Sequence, residues 1–169
     1  MRISVNWLND WLGSPAEARD LATRLTMAGL EVEAVEPAAP PLAGIVVGEI
    51  VERDKHPNAD SLSVCRVNAG GGELLQIVCG APNARAGIKA PLATVGTTMP
   101  GGMEIKKAKL RGVESLGMLC SARELGLSED SSGLLELPAD LPVGQPIVAA
   151  LDLDDTLIEI NLTPNRGDC

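Results

Sequence analysis

The chain has 169 residues, of which 45% are hydrophobic and 22% charged, and a formal net charge of -9. That composition fits a soluble globular protein of one or two domains, with enough length for a real core. It excludes a membrane helix, since no window approaches the roughly 20 apolar residues a span needs, and the opening Met1–Trp7 lacks the apolar run of a secretory signal. Four cysteines without C-x-x-C spacing and a single histidine argue against zinc and against a disulfide scaffold. They point to reduced thiols and a cytoplasmic location.

In chain order, Arg2–Leu8 reads as a short strand. Ser14 as N-cap, Pro15 at the first helical position and Glu17 at the third give the spacing of a capping box. Ala18, Leu21, Ala22 and Leu25 form a helical stripe that Gly29 ends. Leu30, Val32, Ala34 and Val35 alternate with Glu31, Glu33 and Glu36 as a half-buried strand does. The run Pro37-Ala38-Ala39-Pro40-Pro41 is a stiff linker and marks a domain boundary.

Beyond it come short strands separated by turn residues: Ile45–Glu52, Leu62–Val67, Leu74–Cys79, Pro91–Val95 and Met103–Leu110. A short helix at Ala122–Leu125 and a small strand at Leu134–Leu137 follow. Five strands with a small helix suit an OB-type Greek-key barrel, an architecture that often binds nucleic acid. The expected fold is therefore α+β, mainly β. Residues 1–40 form the first half of a small helix-and-strand domain, 41–150 an inserted OB barrel, and 151–169 the start of the second half. That last part holds a strand at Leu157–Leu162. Asp168 then reads as an N-cap with no helix after it, so the chain is expected to be part of a longer one, truncated inside the domain.

Charge is distributed unevenly. Residues 1–40 carry net -3, residues 41–123 net +3 and residues 124–169 net -9. Within the middle segment, Lys106, Lys107, Lys109 and Arg111 fall inside six residues. Period-two alternation puts Lys107, Lys109 and Arg111 on one strand face. A basic cluster on an acidic chain points to a polyanion partner, although lysines also protect edge strands from aggregation.

Other motifs carry less. Gly70-Gly71-Gly72 lacks the surroundings of a phosphate loop and reads as a hairpin turn. Asp152, Asp154 and Asp155 do not have calcium-loop spacing and read as a solvated acidic turn. His56 sits in a polar loop beside Lys55 and Asn58, as a loop residue or as a contact to phosphate or base. Arg166-Gly167-Asp168 is discounted as an adhesion tripeptide. No nucleophile–base set emerges. The chain holds no Phe and no Tyr, and its two tryptophans lie outside the middle segment. Without an aromatic stacking platform, bound RNA is expected to be held through phosphates and sugars.

Three stretches in order carry a family resemblance. They are His56-Pro57-Asn58-Ala59-Asp60-Ser61-Leu62, then Ile77-Val78-Cys79-Gly80-Ala81-Pro82-Asn83, then Lys109–Ser115 with Gly117–Ser121 and Glu124–Leu127. Together they resemble the tRNA-binding OB domain of synthetase-associated proteins. The flanks, Met1–Leu8 with Leu12 and Leu162–Cys169, are similar to the bacterial phenylalanyl-tRNA synthetase beta subunit. The resemblance implies a module of an alpha2-beta2 ligase that uses ATP and magnesium to charge tRNA with phenylalanine. It places catalysis in the alpha subunit and no metal or cofactor in this segment. Its tRNA-binding positions carry over to Lys107, Lys109, Arg111, Ser115, Met118 and Ser121, with Lys55, His56 and Asn58 as neighbours. For Met118, beside Leu116 and Leu119, a place in the core is the favoured role. Neither a membrane nor DNA is expected as a partner. A free-standing tRNA-binding protein and a barrel that only packs against other subunits remain the alternatives.

Overall fold

The proline-rich stretch at 37–41 separates two kinds of hydrophobic pattern. The computed structural model describes residues 1–164. It resolves them into one unit of residues 1–39 with those from 152 onward, and another of residues 40–151. In chain order the elements are β1 (Arg2–Ser4), α1 (Val5–Trp11), α2 (Ala18–Met27), β2 (Glu31–Pro37), β3 (Ile45–Lys55), β4 (Ser63–Asn68), β5 (Leu74–Cys79), β6 (Lys89–Thr94), β7 (Ala108–Leu110), β8 (Val113–Ser115), β9 (Gly117–Leu119), α3 (Ile147–Ala150) and β10 (Thr156–Asn161).

In the first unit, β10 is the middle strand of an antiparallel sheet ordered β1-β10-β2. Ile158 and Ile160 of β10 pack with Val5 and Leu21 in its core. The expected strand at Arg2–Leu8 stops at Ser4, because the Ser4 hydroxyl accepts the Trp7 N–H at 3.0 Å and caps α1. Asp155 then fixes that cap from the far end of the chain. It accepts the Ser4 hydroxyl at 2.5 Å and the Asn6 N–H at 3.0 Å. The expected capping box at Ser14 does not form. Asn9 holds Ala16 through both its N–H (2.9 Å) and its carbonyl (3.2 Å), which keeps the chain out of the helix until Ala18. At the other end of α2, Gly29 adopts φ 88° and Leu30 N–H returns to the Leu25 carbonyl at 3.0 Å, a Schellman stop.

The second unit is built on an antiparallel sheet ordered β5-β4-β3-β6-β9. β3 serves both sides of it, pairing with β6 over its first half and β4 over its second, with a bulge at Val51 that bends it. The glycine run at 70–72 lies in the β4–β5 hairpin. The interior is aliphatic: Ile50, Val67, Ile77, Ala90 and Leu92 are fully buried around Cys65. The sheet nearly closes into a barrel where β5 meets β8 and β9. There Leu116 N–H donates to the Gln76 carbonyl at 2.9 Å, and Gln76 Nε2 donates to the Glu114 carbonyl at 2.9 Å. A nearly closed five-stranded barrel of this kind is of the OB type.

Three expected elements are absent as such. Only Ala108–Leu110 of the Met103–Leu110 segment is strand, because residues 96–105 fold back on themselves through Gly96 and Ile105 (both 2.8 Å). Ala122–Leu125 is a hydrogen-bonded turn, ended by Gly126 at φ 67°. At Leu134–Leu137 only Leu137 makes a bridge, since the Asn83 side chain takes the Leu134 N–H (2.8 Å) and carbonyl (3.0 Å) in place of a strand partner. The short helix α3 was not expected. The Asp168 cap and the Arg166-Gly167-Asp168 tripeptide lie outside the described residues.

Burial alone would raise the Asp155 carboxyl, but hydrogen bonds from Ser4, Asn6, Thr156 and Val5 outweigh it and hold the group below its usual value. A carboxyl with a depressed folded-state pKa stabilises above the unfolded value, and that stabilisation is lost as pH falls through the folded one. Urea titrations between pH 7 and pH 2 are therefore expected to show the first unit weakening below about pH 4. The Asp155→Asn variant should lose about 1 kcal/mol at neutral pH and have a flatter pH profile.

Candidate nucleic-acid interface

An OB barrel binds oligonucleotides chiefly through the loop joining its first two strands and the loop joining its last two. Here the first is the β3–β4 loop, residues 56–62, and the second runs from 95 to 116 and carries β7 and β8. Two side chains bind these loops together. His56 is 2% exposed, and its Nδ1 accepts the Asn58 N–H at 3.1 Å. Its Nε2, 3.1 Å from the Leu110 carbonyl, must then carry the proton and donate. Asn58 Nδ2 donates to the Arg111 carbonyl at 3.0 Å. Both side chains thus grip consecutive carbonyls at the tip of the basic hairpin.

That tip is Arg111-Gly112, at φ 49° and 93°, joining Leu110 and Val113 across the β7–β8 pair. Positive φ at both central residues is the signature of a type I′ turn. The expected stripe of Lys107, Lys109 and Arg111 on one strand face is therefore corrected: Lys107 precedes the strand and Arg111 occupies the turn. Ala108 and Leu110 line a groove, so Lys109 between them faces the other way.

All four cations of the run are exposed. Lys107 pairs with Glu114 at 3.2 Å, Lys106 with Glu104 at 2.9 Å, and Lys55 with Asp60 at 2.5 Å. Each of these pairs is more than half exposed on both sides and contributes at most about 1 kcal/mol, so a phosphate can displace the carboxylate. Lys109 and Arg111 have no ion-pair partner among the described residues.

The hydroxyls of the following segment turn inward. Ser115 is buried, accepting the Val78 N–H at 3.1 Å and donating to the Gly117 carbonyl at 2.9 Å, where it helps to close the barrel. Ser121 and Glu124 cap each other: the Ser121 N–H reaches Glu124 Oε2 at 2.6 Å, and the Glu124 N–H reaches Ser121 Oγ at 3.4 Å. Met118 is half-buried in the wall of the groove, a depression of about 850 Å³ that it shares with Leu110, Ile105 and Leu119.

Lys106, part of the basic run but not of the tRNA-binding positions implied by the resemblance, also lines this groove, as does Arg123, which the sequence pattern does not single out. The Ser121-Ala122-Arg123-Glu124 spacing is a legible capping box that fixes the turn carrying Arg123. Burial pushes the Cys65 thiol up to about 11 and the Cys120 thiol up to about 12. Both are protonated at neutral pH and poor nucleophiles. Among the described residues, no three His, Cys, Asp or Glu side chains come together to hold a metal, and no helix is long and apolar enough to cross a membrane. The arrangement is suited to binding a polyanion.

Residues 45–146 match the family described as "Putative tRNA binding domain". The chain belongs to that family. The matched residues include the basic run, the His56 loop and the lining of the groove. Over its full length the chain is also similar to phenylalanine–tRNA ligase beta subunits. It is 62% identical to that of Bordetella parapertussis and 59% identical to that of Methylococcus capsulatus, and spans 21% of each. Among solved structures, a MetRS related protein from Pyrococcus horikoshii superposes with a TM-score of 0.44 at 26% identity. The superposition covers 60% of this chain and 85% of that one.

If His56 and Asn58 hold the hairpin, His56→Ala combined with Asn58→Ala should raise amide hydrogen exchange across residues 108–115 at least tenfold, a local loss of about 1.4 kcal/mol. Exchange in β4 should stay as it is. Unchanged exchange in the hairpin would show that its own turn suffices.

Proposed function

We propose that this chain is the tRNA-contacting N-terminal module of a phenylalanine–tRNA ligase beta subunit. In this role it holds RNA by its phosphates while aminoacylation proceeds elsewhere in the enzyme. The observation that supports this most is the fixing of a basic hairpin, by His56 and Asn58, against the neighbouring binding loop of an OB barrel.

Lys107, Lys109, Arg111 and Lys55 act as phosphate contacts, joined by Lys106 and Arg123 at the groove. Met118 and Leu110 offer an apolar surface to a ribose or the edge of a base. His56, Asn58, Ser115 and Ser121 act as positioning residues, because their polar atoms are committed to the protein backbone or to Glu124. The middle segment, residues 41–123, contains no aromatic residue, so stacking contributes nothing and recognition of base identity is weak. In this reading ATP and magnesium serve the remainder of the enzyme, the alpha subunit is the assembly partner, and the protein works in the cytoplasm.

Counterion release makes the reading testable. A ligase carrying Lys107→Ala, Lys109→Ala and Arg111→Ala should bind tRNA more weakly. The dependence of log K on log salt between 50 and 200 mM should flatten by about one unit per lost phosphate contact. An unchanged slope would contradict the proposal.

A further inference from the structure

The two tryptophans, the chain's only large rings, are both displayed to solvent. Trp7 is 56% exposed and Trp11 75% exposed, one turn apart on α1, with ring centroids 6.2 Å apart in an edge-to-face arrangement. Leu12, 39% exposed, follows directly. The opposite side of α1 is already occupied, since Val5 and Leu8 pack into the core of the first unit. Single exposed apolar residues are normal, but two exposed tryptophans in edge contact, with an exposed leucine next in the chain, are a local concentration of apolar surface. Tryptophan is also the residue type most enriched at the energetic centres of protein interfaces.

The surrounding charge selects the occupant. Asp10 lies on α1 directly before Trp11 in the chain. Asn6, one residue before Trp7, is bound to the Asp154 carbonyl and the Asp155 carboxylate. Leu12 shares a groove of about 560 Å³ with Glu17 and Asp20, which outnumber Arg24 there. The described residues of this unit carry 3 basic side chains against 10 acidic ones. An RNA backbone or an anionic lipid surface would be repelled by that field. A symmetric contact with a second copy would place like charges against each other. A protein segment whose apolar centre is flanked by lysine or arginine meets both the rings and the charge.

We propose that Trp7, Trp11 and Leu12 form a docking face for an apolar protein segment with a basic rim. This surface is separate in residues and opposite in charge from the one assigned to tRNA, and it stands whether or not the tRNA reading holds.

Because the chain has no other tryptophan, its emission reports this patch alone. The full chain is titrated with a synthetic amphipathic leucine–lysine helix, with a leucine–glutamate counterpart and oligo(U) as comparators. The expected result is a saturable blue shift with the leucine–lysine peptide and none with the other two. Binding followed by anisotropy of the labelled peptide should fall at least tenfold in Trp7→Ala/Trp11→Ala. It should fall similarly in Glu17→Lys/Asp20→Lys, which keeps the rings. Circular dichroism of both variants should match the parent. The proposal is overturned by an equal response to the leucine–glutamate peptide, by saturable quenching with oligo(U), or by binding that neither pair of substitutions weakens.

Discussion

The basic hairpin depends on one buried histidine. By themselves β7 and β8 would be a short, charged, two-stranded ribbon, and such ribbons are marginal in water. His56 and Asn58 remove that freedom by taking the carbonyls of Leu110 and Arg111. The neutral ring accepts with Nδ1 and donates with Nε2, so both of its polar atoms are satisfied in a buried site where an unpaired one would be costly. The Arg111 side chain gains from this too. Its backbone is held in the left-handed region, which projects the guanidinium from a turn in place of a flat strand face.

The barrel beneath supplies a rigid base without any aromatic residue. Aliphatic side chains from β3, β4, β5 and β6 fill it, and where the β5 ladder has no strand partner the Ser115 hydroxyl and the Gln76 amide complete it. A buried serine close to a basic strand is easily taken for a ligand contact. The geometry instead commits it to holding β5 against β8 and β9, the seam along which the groove opens. Division of labour follows: hydroxyls and the imidazole face inward and position, while cations face outward and remain exchangeable.

How much of this is legible in the sequence varies with the physics of each segment. Leu74–Cys79 forms the strand expected of it, because its short apolar run is bounded by a glycine turn on each side. The Gly29 stop is equally plain. Arg2–Leu8 misleads because the Ser4 cap depends on Asp155, more than a hundred residues away, which no local pattern reveals. Ser14 misleads because Asn9 outcompetes it for the backbone at Ala16. In the candidate site the basic run itself is plain from charge alone. The turn at Arg111-Gly112 is not, since the tempting period-two pattern of cations runs straight through it. The inward roles of His56 and Ser115 rest on long-range hydrogen bonds that only the folded chain brings together.

The central claim is that the fixed hairpin meets RNA through its cations. Acetylation of lysines in the ligase, read by mass spectrometry with and without tRNA, tests it most directly. Lys106, Lys107, Lys109 and Lys55 should lose reactivity when tRNA is bound and regain it as salt is raised. Lys89, whose ammonium is held by the Ala139 and Leu141 carbonyls, should not respond. Equal reactivity of the hairpin lysines in the free and the tRNA-bound enzyme would contradict the account.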